Sequence, residues 1–116
     1  MTEPAGPAAA PSHLNATETL HAISKGERSV EDVMRDVLQR IDASDPTICA
    51  FCDLQAQRAM DIAKTHDSVP DEQRGPLHGL PITIKEVFDV AGMRCSWGSA
   101  IHADRTPKRD AIAVRR

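Results

Sequence analysis

One amphipathic pattern in the first half of the sequence constrains the fold more than any other feature. Its apolar residues recur at spacings of three and four: Val30, Val33, Met34, Val37, Leu38 and Ile41. This spacing places them on one face of an α-helix. Ser29 before the run and Asp32 three residues later form the pattern of a hydroxyl N-cap. Because the residue before a proline is pushed out of the helical region, Asp45-Pro46 predicts that the helix ends near residue 44.

Three other helices are predicted around this one. Asn15 can cap a short helix that ends at Gly26. Alanines at helical spacing mark a further helix over residues 56–66. A last helix begins at Asp110 and lacks a C-cap glycine, so we expect the chain to stop inside this element.

The rest of the sequence predicts short strands, a loop and a leader. Residues 48–54 and 80–85 have the β-branched and apolar character of strands, and residues 67–79 resemble a surface loop. Residues 1–13 are rich in proline and alanine and have almost nothing large enough to bury. We therefore expect a disordered leader at 1–13, followed by a single ordered unit at 14–116.

Charge and hydropathy argue against several classes of protein. The formal net charge of −3 does not provide the basic surface that nucleic-acid binding requires. Residues 1–12 contain no Lys or Arg and no signal-like apolar run, and no stretch approaches the roughly 20 apolar residues of a membrane span. We expect a cytoplasmic protein that binds neither nucleic acid nor membrane.

Metal and redox chemistry have little support in the sequence. Cys49 and Cys52 have the spacing of a redox dithiol or of half a zinc site. A redox pair belongs at a helix start, and zinc would need further ligands, so buried small residues are the favoured interpretation. The histidines show no i, i+4 pair. The sequence therefore predicts no metal and no cofactor.

Lys85 ends the predicted strand 80–85, and spacing alone leaves its role open. Alternation places Ile82 and Ile84 on one face and Thr83 with Lys85 on the other. If that second face were buried, desolvation would favour a neutral amine that could act as a base. If it were exposed, the lysine would simply extend into water.

The segment around Lys85 resembles a known family. Residues 75–92, GPLHGLPITIKEVFDVAG, are similar nearly position by position to the stretch that contains the catalytic lysine of the amidase-signature family. The resemblance continues through the segment 95–99, which ends in Gly-Ser, and through Asp110-Ala111. Together with the upstream helices it covers roughly residues 17–116.

The resemblance implies an α/β/α fold around a mixed central sheet. This chain would be an N-terminal fragment of that fold, mostly helical with short strands. The implied activity is hydrolysis of a small-molecule carboxylic amide through a serine acyl-enzyme, without metal or cofactor. Lys85 occupies the position of the lysine that accepts a proton from a bridging serine, which in turn deprotonates the nucleophilic serine.

The departures from the family pattern are equally informative. Both family serines belong to Gly/Ser-rich segments that this chain lacks, and Ser96 and Ser99 have neither the sequence context nor the predicted role of nucleophiles. We expect the remainder of the amidase domain C-terminal to Arg116, and we expect this chain alone to be inactive. Two alternatives stay open: a non-catalytic remnant or binding module, and an amidase-like subunit of a tRNA-dependent amidotransferase. The oligomeric state is not indicated.

Overall fold

A computed structural model describes residues 13–116, so the predicted leader at 1–13 lies outside the described residues except for His13. The helices are α1 (Ala16–Ser24), α2 (Val30–Ile48), α3 (Ala56–Asp67) and α4 (Ile112–Arg115), with 3₁₀ turns at Asp71–Gln73 and Ala100–His102. Loops and turns connect them. Over residues 13–116, every helix is too short or too polar to cross a membrane.

The caps of α1 and α2 confirm the predicted helix starts. The Asn15 side chain accepts a hydrogen bond from the Glu18 N–H, and the Glu18 carboxylate accepts one from the Asn15 N–H, both at 2.9 Å. At α2, the Ser29 hydroxyl accepts a hydrogen bond from the Asp32 N–H at 3.0 Å. Each cap satisfies amide groups that have no partner within the first turn of a helix.

The predicted end of α2 near residue 44 is wrong, because the helix passes through Pro46 and continues to Ile48. The last turn is closed by bonds that do not need the missing proline N–H. Cys49 adopts a left-handed conformation (φ 53°) and donates its N–H to the Asp45 carbonyl at 2.7 Å. The Asp45 carboxylate accepts a further hydrogen bond from the Ala50 N–H at 2.7 Å. A proline in the last turn is tolerated when such contacts satisfy the helix end.

A small apolar core holds the helices together, with α2 packed against α3. Its buried members, from α1, α2 and α3, are Ile23, Val30, Val33 and Ala63. The Asp67 carboxylate at the end of α3 accepts hydrogen bonds from the Val30 N–H (2.7 Å) and the Glu31 N–H (3.0 Å) at the start of α2. This contact fixes α3 antiparallel to α2, as expected for helices joined by a short loop.

Gly79 connects this core to the segment that carries Lys85. It has a positive φ of 80°, and its backbone lies directly on the side chains of Val30 and Ile23. A Cβ at residue 79 would lie 2.5 Å from Val30 Cγ2 and 3.3 Å from Ile23 Cδ1. Only glycine fits this conformation and this close approach without rearrangement.

The short strands predicted at 48–54 and 80–85 are absent from residues 13–116, so the described part is helical rather than helical with strands. Residue 48 belongs to α2, and the rest of that segment is loop. Within the described chain, residues 81–84 form no backbone–backbone hydrogen bond, and the Ile82 side chain is 75% exposed. Strand-like residues become a strand only when another segment pairs with them, and no described segment does so.

Candidate functional site

Lys85 is exposed and lies directly before a turn. Its carbonyl accepts a hydrogen bond from the Phe88 N–H at 2.9 Å, which closes the turn. The surface around it is apolar, since Ile82, Ile84, Val87 and Phe88 are between 37% and 75% exposed. Contiguous exposed apolar surface of this kind usually marks a contact region.

Glu86 next to Lys85 is the centre of a hydrogen-bonded cluster. Its carboxylate oxygen Oε1 accepts from the Ser96 N–H at 2.8 Å and from the Ser96 hydroxyl at 2.6 Å. These bonds from Ser96 lower the pKa of the Glu86 carboxyl. The Glu86 carbonyl accepts from the buried Cys95 thiol at 3.1 Å. The turn that follows Lys85 is thus tied to the segment around residues 95–96.

A second polar contact, between Arg105 and Asp89, closes the loop 89–105. The Arg105 guanidinium donates to both carboxylate oxygens of Asp89, at 2.6 and 2.5 Å. Its Cζ lies 3.9 Å from the ring centroid of Trp97, a cation–π distance. Arg105 also donates to the Cys95 carbonyl at 3.3 Å. Bidentate geometry and the flanking ring hold the loop 89–105 in one arrangement.

The loop between these contacts is docked on α3. The side chain of Gln55 donates to the Gly92 carbonyl at 2.9 Å, and Arg58 donates to the Ala91 carbonyl at 3.0 Å. The Asp110 carboxylate accepts from the Ala91 N–H at 2.7 Å. Lys85 therefore lies beside a platform, the loop segment 86–110, which is held in place by polar contacts rather than by a β-sheet.

Acid should weaken this platform in a measurable way. The Arg105 guanidinium holds the pKa of Asp89 below its ordinary value. A lowered folded-state pKa contributes stability above about pH 4, and this contribution is lost as the pH falls through the folded-state value. We expect Asp89→Asn to be less stable than the parent at pH 7, and to lose less stability between pH 7 and pH 3. Urea unfolding at both pH values measures this difference.

The matched control for this prediction is Asp104→Asn, which removes an exposed carboxylate from the same loop. It should leave both the stability at pH 7 and the acid-induced loss at the parental values. Equal acid-induced losses in Asp89→Asn and the parent would contradict the proposed linkage.

The serines near the lysine are not arranged as nucleophiles among the described residues. Ser96 is buried, and its hydroxyl is committed to Glu86. Ser99 accepts a weak hydrogen bond from the Ile101 N–H at 3.3 Å and caps a 3₁₀ turn. The sequence did not indicate the contacts of Glu86 or the Asp89–Arg105 pair, because contacts between neighbouring loops leave no periodic signal.

Cysteines and histidines do not form a metal site among residues 13–116. Cys49 and Cys52 are both exposed free thiols, so their interpretation as buried small residues is wrong. His66 and His78 stack with ring centroids 4.9 Å apart, and His78 Nε2 lies 3.0 Å from the His66 carbonyl oxygen. This pair joins the end of α3 to the loop before Gly79.

Known proteins match this chain over most of its length. One subunit of the glutamyl-tRNA(Gln) amidotransferase of Nitratidesulfovibrio vulgaris (strain DP4) is 36% identical over 95 residues, covering 82% of this chain and 19% of that protein. An acylamidase of Rhodococcus erythropolis is 29% identical over 107 residues, covering 89% of this chain and 22% of that protein. The chain thus spans about a fifth of the length of these curated relatives.

A solved structure shares the same fold. This structure is described as "An unexpected vestigial protein complex reveals the evolutionary origins of an s-triazine catabolic enzyme". One of its chains superposes on the present chain with a TM-score of 0.80 at 30% sequence identity. The superposition covers 88% of this chain and 23% of that one. The family model described as Amidase matches residues 32–116, which includes Lys85 and the platform around it. Since this match covers well over half of the sequence, the chain belongs to the amidase family.

Proposed function

We propose that this chain is the lysine-bearing part of an enzyme that cleaves a carboxylic amide, with Lys85 as its proton-transferring residue. The observation that carries the proposal is the family match across residues 32–116 together with the segment 75–92. The substrate is a small-molecule amide, and the protein acts in the cytoplasm. The complete fold is α/β/α around a mixed sheet, to which the segment 80–85 contributes a strand.

In the proposed reaction a serine oxygen attacks the amide carbonyl carbon and the carbon–nitrogen bond breaks. The serine proton passes through a bridging serine to the Lys85 amine and then to the leaving nitrogen, which departs as ammonia or an amine. Water then cleaves the acyl-enzyme and releases the acid. Backbone N–H groups stabilise the oxyanion. Both serines and these N–H groups come from the part of the domain beyond Arg116.

The exposed surface around Lys85 supports this division of the domain. A lysine accepts a proton only as a neutral amine, and burial favours the neutral form. Ile82 and Phe88 flank Lys85 and expose 75% and 47% of their area. In the proposal, the remaining domain covers this apolar surface, pairs with residues 81–84 and removes Lys85 from water.

The names of the relatives favour a second candidate in the same family. Several relatives between 32% and 37% identical are subunits of glutamyl-tRNA(Gln) amidotransferases, whereas the acylamidase is 29% identical. If this protein had the same role, its amide cleavage would depend on partner subunits. The free protein would then release little ammonia, and adding those subunits with the tRNA would restore it.

The experiment compares this chain with the extended protein, meaning the chain plus all that its reading frame encodes beyond Arg116. Ammonia release is followed with a panel that contains acetamide, propionamide, benzamide and glutamine. We expect no ammonia release by the 116-residue chain, because it lacks the Gly/Ser-rich segments that carry the nucleophilic and bridging serines. We expect the extended protein to turn over at least one of these amides. Labelling by phenylmethylsulfonyl fluoride should occur in the extended protein only.

Two outcomes would contradict the proposal. Ammonia release by the short chain alone would require chemistry other than a serine acyl-enzyme. A stop codon directly after Arg116, with cooperative unfolding and little dye binding by the short chain, would favour the non-catalytic binding module instead.

A further inference from the structure

Among the described residues, the backbone around Lys85 is held from one side only. Before it, residues 81–84 form no backbone–backbone hydrogen bond within the described chain. After it, the Lys85 carbonyl is bonded to the Phe88 N–H, and the Glu86 carbonyl is bonded to the Cys95 thiol. Within the described chain, the direction in which the Lys85 side chain leaves the surface is therefore set by the turn that follows it.

Among the groups that attach this turn to the rest of the protein, the Glu86 carboxylate makes the strongest hydrogen bonds. Its Oε1 accepts from both donors of Ser96, at 2.8 and 2.6 Å, and hydrogen bonds to a charged acceptor are about twice as strong as neutral ones. Ser96 is only 9% exposed, so water does not readily replace the carboxylate as its partner. A side chain that could have pointed into solvent is instead directed back into the protein, beside the lysine.

We propose that Glu86 is a positioning residue for Lys85: its carboxylate fixes the backbone at residues 85–86 by accepting both donors of the buried Ser96. The inference rests on the catalytic role proposed above for Lys85. Proton transfer requires hydrogen-bond distance between base and donor, and a displacement of about 1 Å can cost as much as 100-fold in rate. Loss of the Glu86 anchor should therefore reduce kcat while substrate binding changes little.

The acceptor oxygen of the Glu86 side chain carries this role, and its negative charge strengthens the two bonds. Glutamine at residue 86 keeps one oxygen that can accept both Ser96 bonds, whereas alanine leaves both donors without their partner. In the extended protein we expect Glu86→Ala to lower kcat about 10- to 100-fold, with KM within about twofold of the parent. Glu86→Gln should recover kcat to within about fivefold of the parent, because its bonds to Ser96 are weaker but still present.

The Ser96 amide reports on the contact independently of activity. In the 116-residue chain, amide hydrogen exchange at Ser96 should accelerate by at least about tenfold in Glu86→Ala and change less in Glu86→Gln. Glu72→Ala is the matched control, since it removes an exposed glutamate from a 3₁₀ turn. It should leave both Ser96 exchange and kcat at the parental values. Circular dichroism of each variant checks that the helices are retained.

The outcomes separate this inference from the proposed function. If Lys85→Ala abolishes turnover and Glu86→Ala keeps the parental kcat, the positioning role is wrong and the catalytic lysine stands. If neither variant affects turnover, both proposals are wrong. Should Glu86→Ala fail to fold, Ser96→Ala decides, because it removes only the hydroxyl donor. An unchanged kcat in that variant, with unchanged exchange at residue 96, overturns the positioning role.

Discussion

Replacing Lys85 by alanine in the extended protein should lower amide turnover by about 1,000-fold or more. Transfer of a proton by a positioned side chain typically contributes about 10²- to 10⁴-fold, and the proposed serine relay has no other base to replace the lysine. Lys85 makes its described contacts through its backbone carbonyl, which alanine retains. The fold should therefore survive, and kcat should fall at nearly unchanged thermal stability. Steady-state ammonia release and a thermal melt measure the two quantities.

Two variants test whether the loss comes from the missing base. Lys85→Arg keeps the positive charge but cannot give up its proton at neutral pH, so it should be nearly as inactive as the alanine variant. Lys108→Ala removes another exposed lysine from a non-helical segment and should keep parental turnover. Turnover by Lys85→Ala at the parental rate would show that Lys85 is only structural.

The helices that could be predicted from sequence are those whose signals are local. The caps at Asn15 and Ser29 are satisfied within their own first turns, and the apolar stripe of α2 repeats at the helical period. Each of these features depends on residues at most a few positions apart. The structure confirms these features because they do not depend on how distant parts of the chain meet.

The strand predictions are not confirmed in residues 13–116, because a strand depends on a partner. Ile82, Thr83 and Ile84 have strand-forming side chains, but within residues 13–116 no segment offers them a hydrogen-bonding edge. The error at Pro46 has a related cause. The Asp45 carboxylate accepts hydrogen bonds from the Ala50 and Phe51 N–H groups, and these bonds offset the effect of the proline on α2. The rule for a residue that precedes a proline does not include such contacts.

The candidate site likewise has one part that could be predicted from sequence and another part that could not. Lys85 could be proposed from sequence because the resemblance runs through consecutive residues. The pairing of Asp89 with Arg105, sixteen residues apart, depends on how two loops meet. The bond from Glu86 to Ser96 spans ten residues of irregular backbone and carries no period. Sequence alone therefore led to the proposal of Lys85, but it did not indicate the contacts that hold the backbone around this residue.

Among the described glycines, Gly79 should show the largest loss of stability when it is replaced by alanine. The new Cβ would lie 2.5 Å from Val30 Cγ2, and Val30 is a buried, β-branched residue on α2 that cannot easily change rotamer. Overpacking of this kind costs about 1–3 kcal/mol, and the left-handed backbone adds about 1–2 kcal/mol. We expect Gly79→Ala to lose roughly 2–5 kcal/mol in urea unfolding, a large share of the stability of a small domain.

Other glycines in the chain separate the two contributions. Gly26 has φ 69° and nothing within 4 Å of an added Cβ, so Gly26→Ala should lose only the backbone term of about 1–2 kcal/mol. Gly75 has open space and no positive φ, so its alanine variant should be nearly neutral.

Val30→Ala in the Gly79→Ala background removes the methyl groups that would clash. The double variant should be more stable than the sum of the two single losses predicts, by about 1 kcal/mol or more. Additive losses would mean that residue 79 does not rest on Val30. The Lys85 segment would then lack the anchor to the helical core that Gly79 is expected to provide.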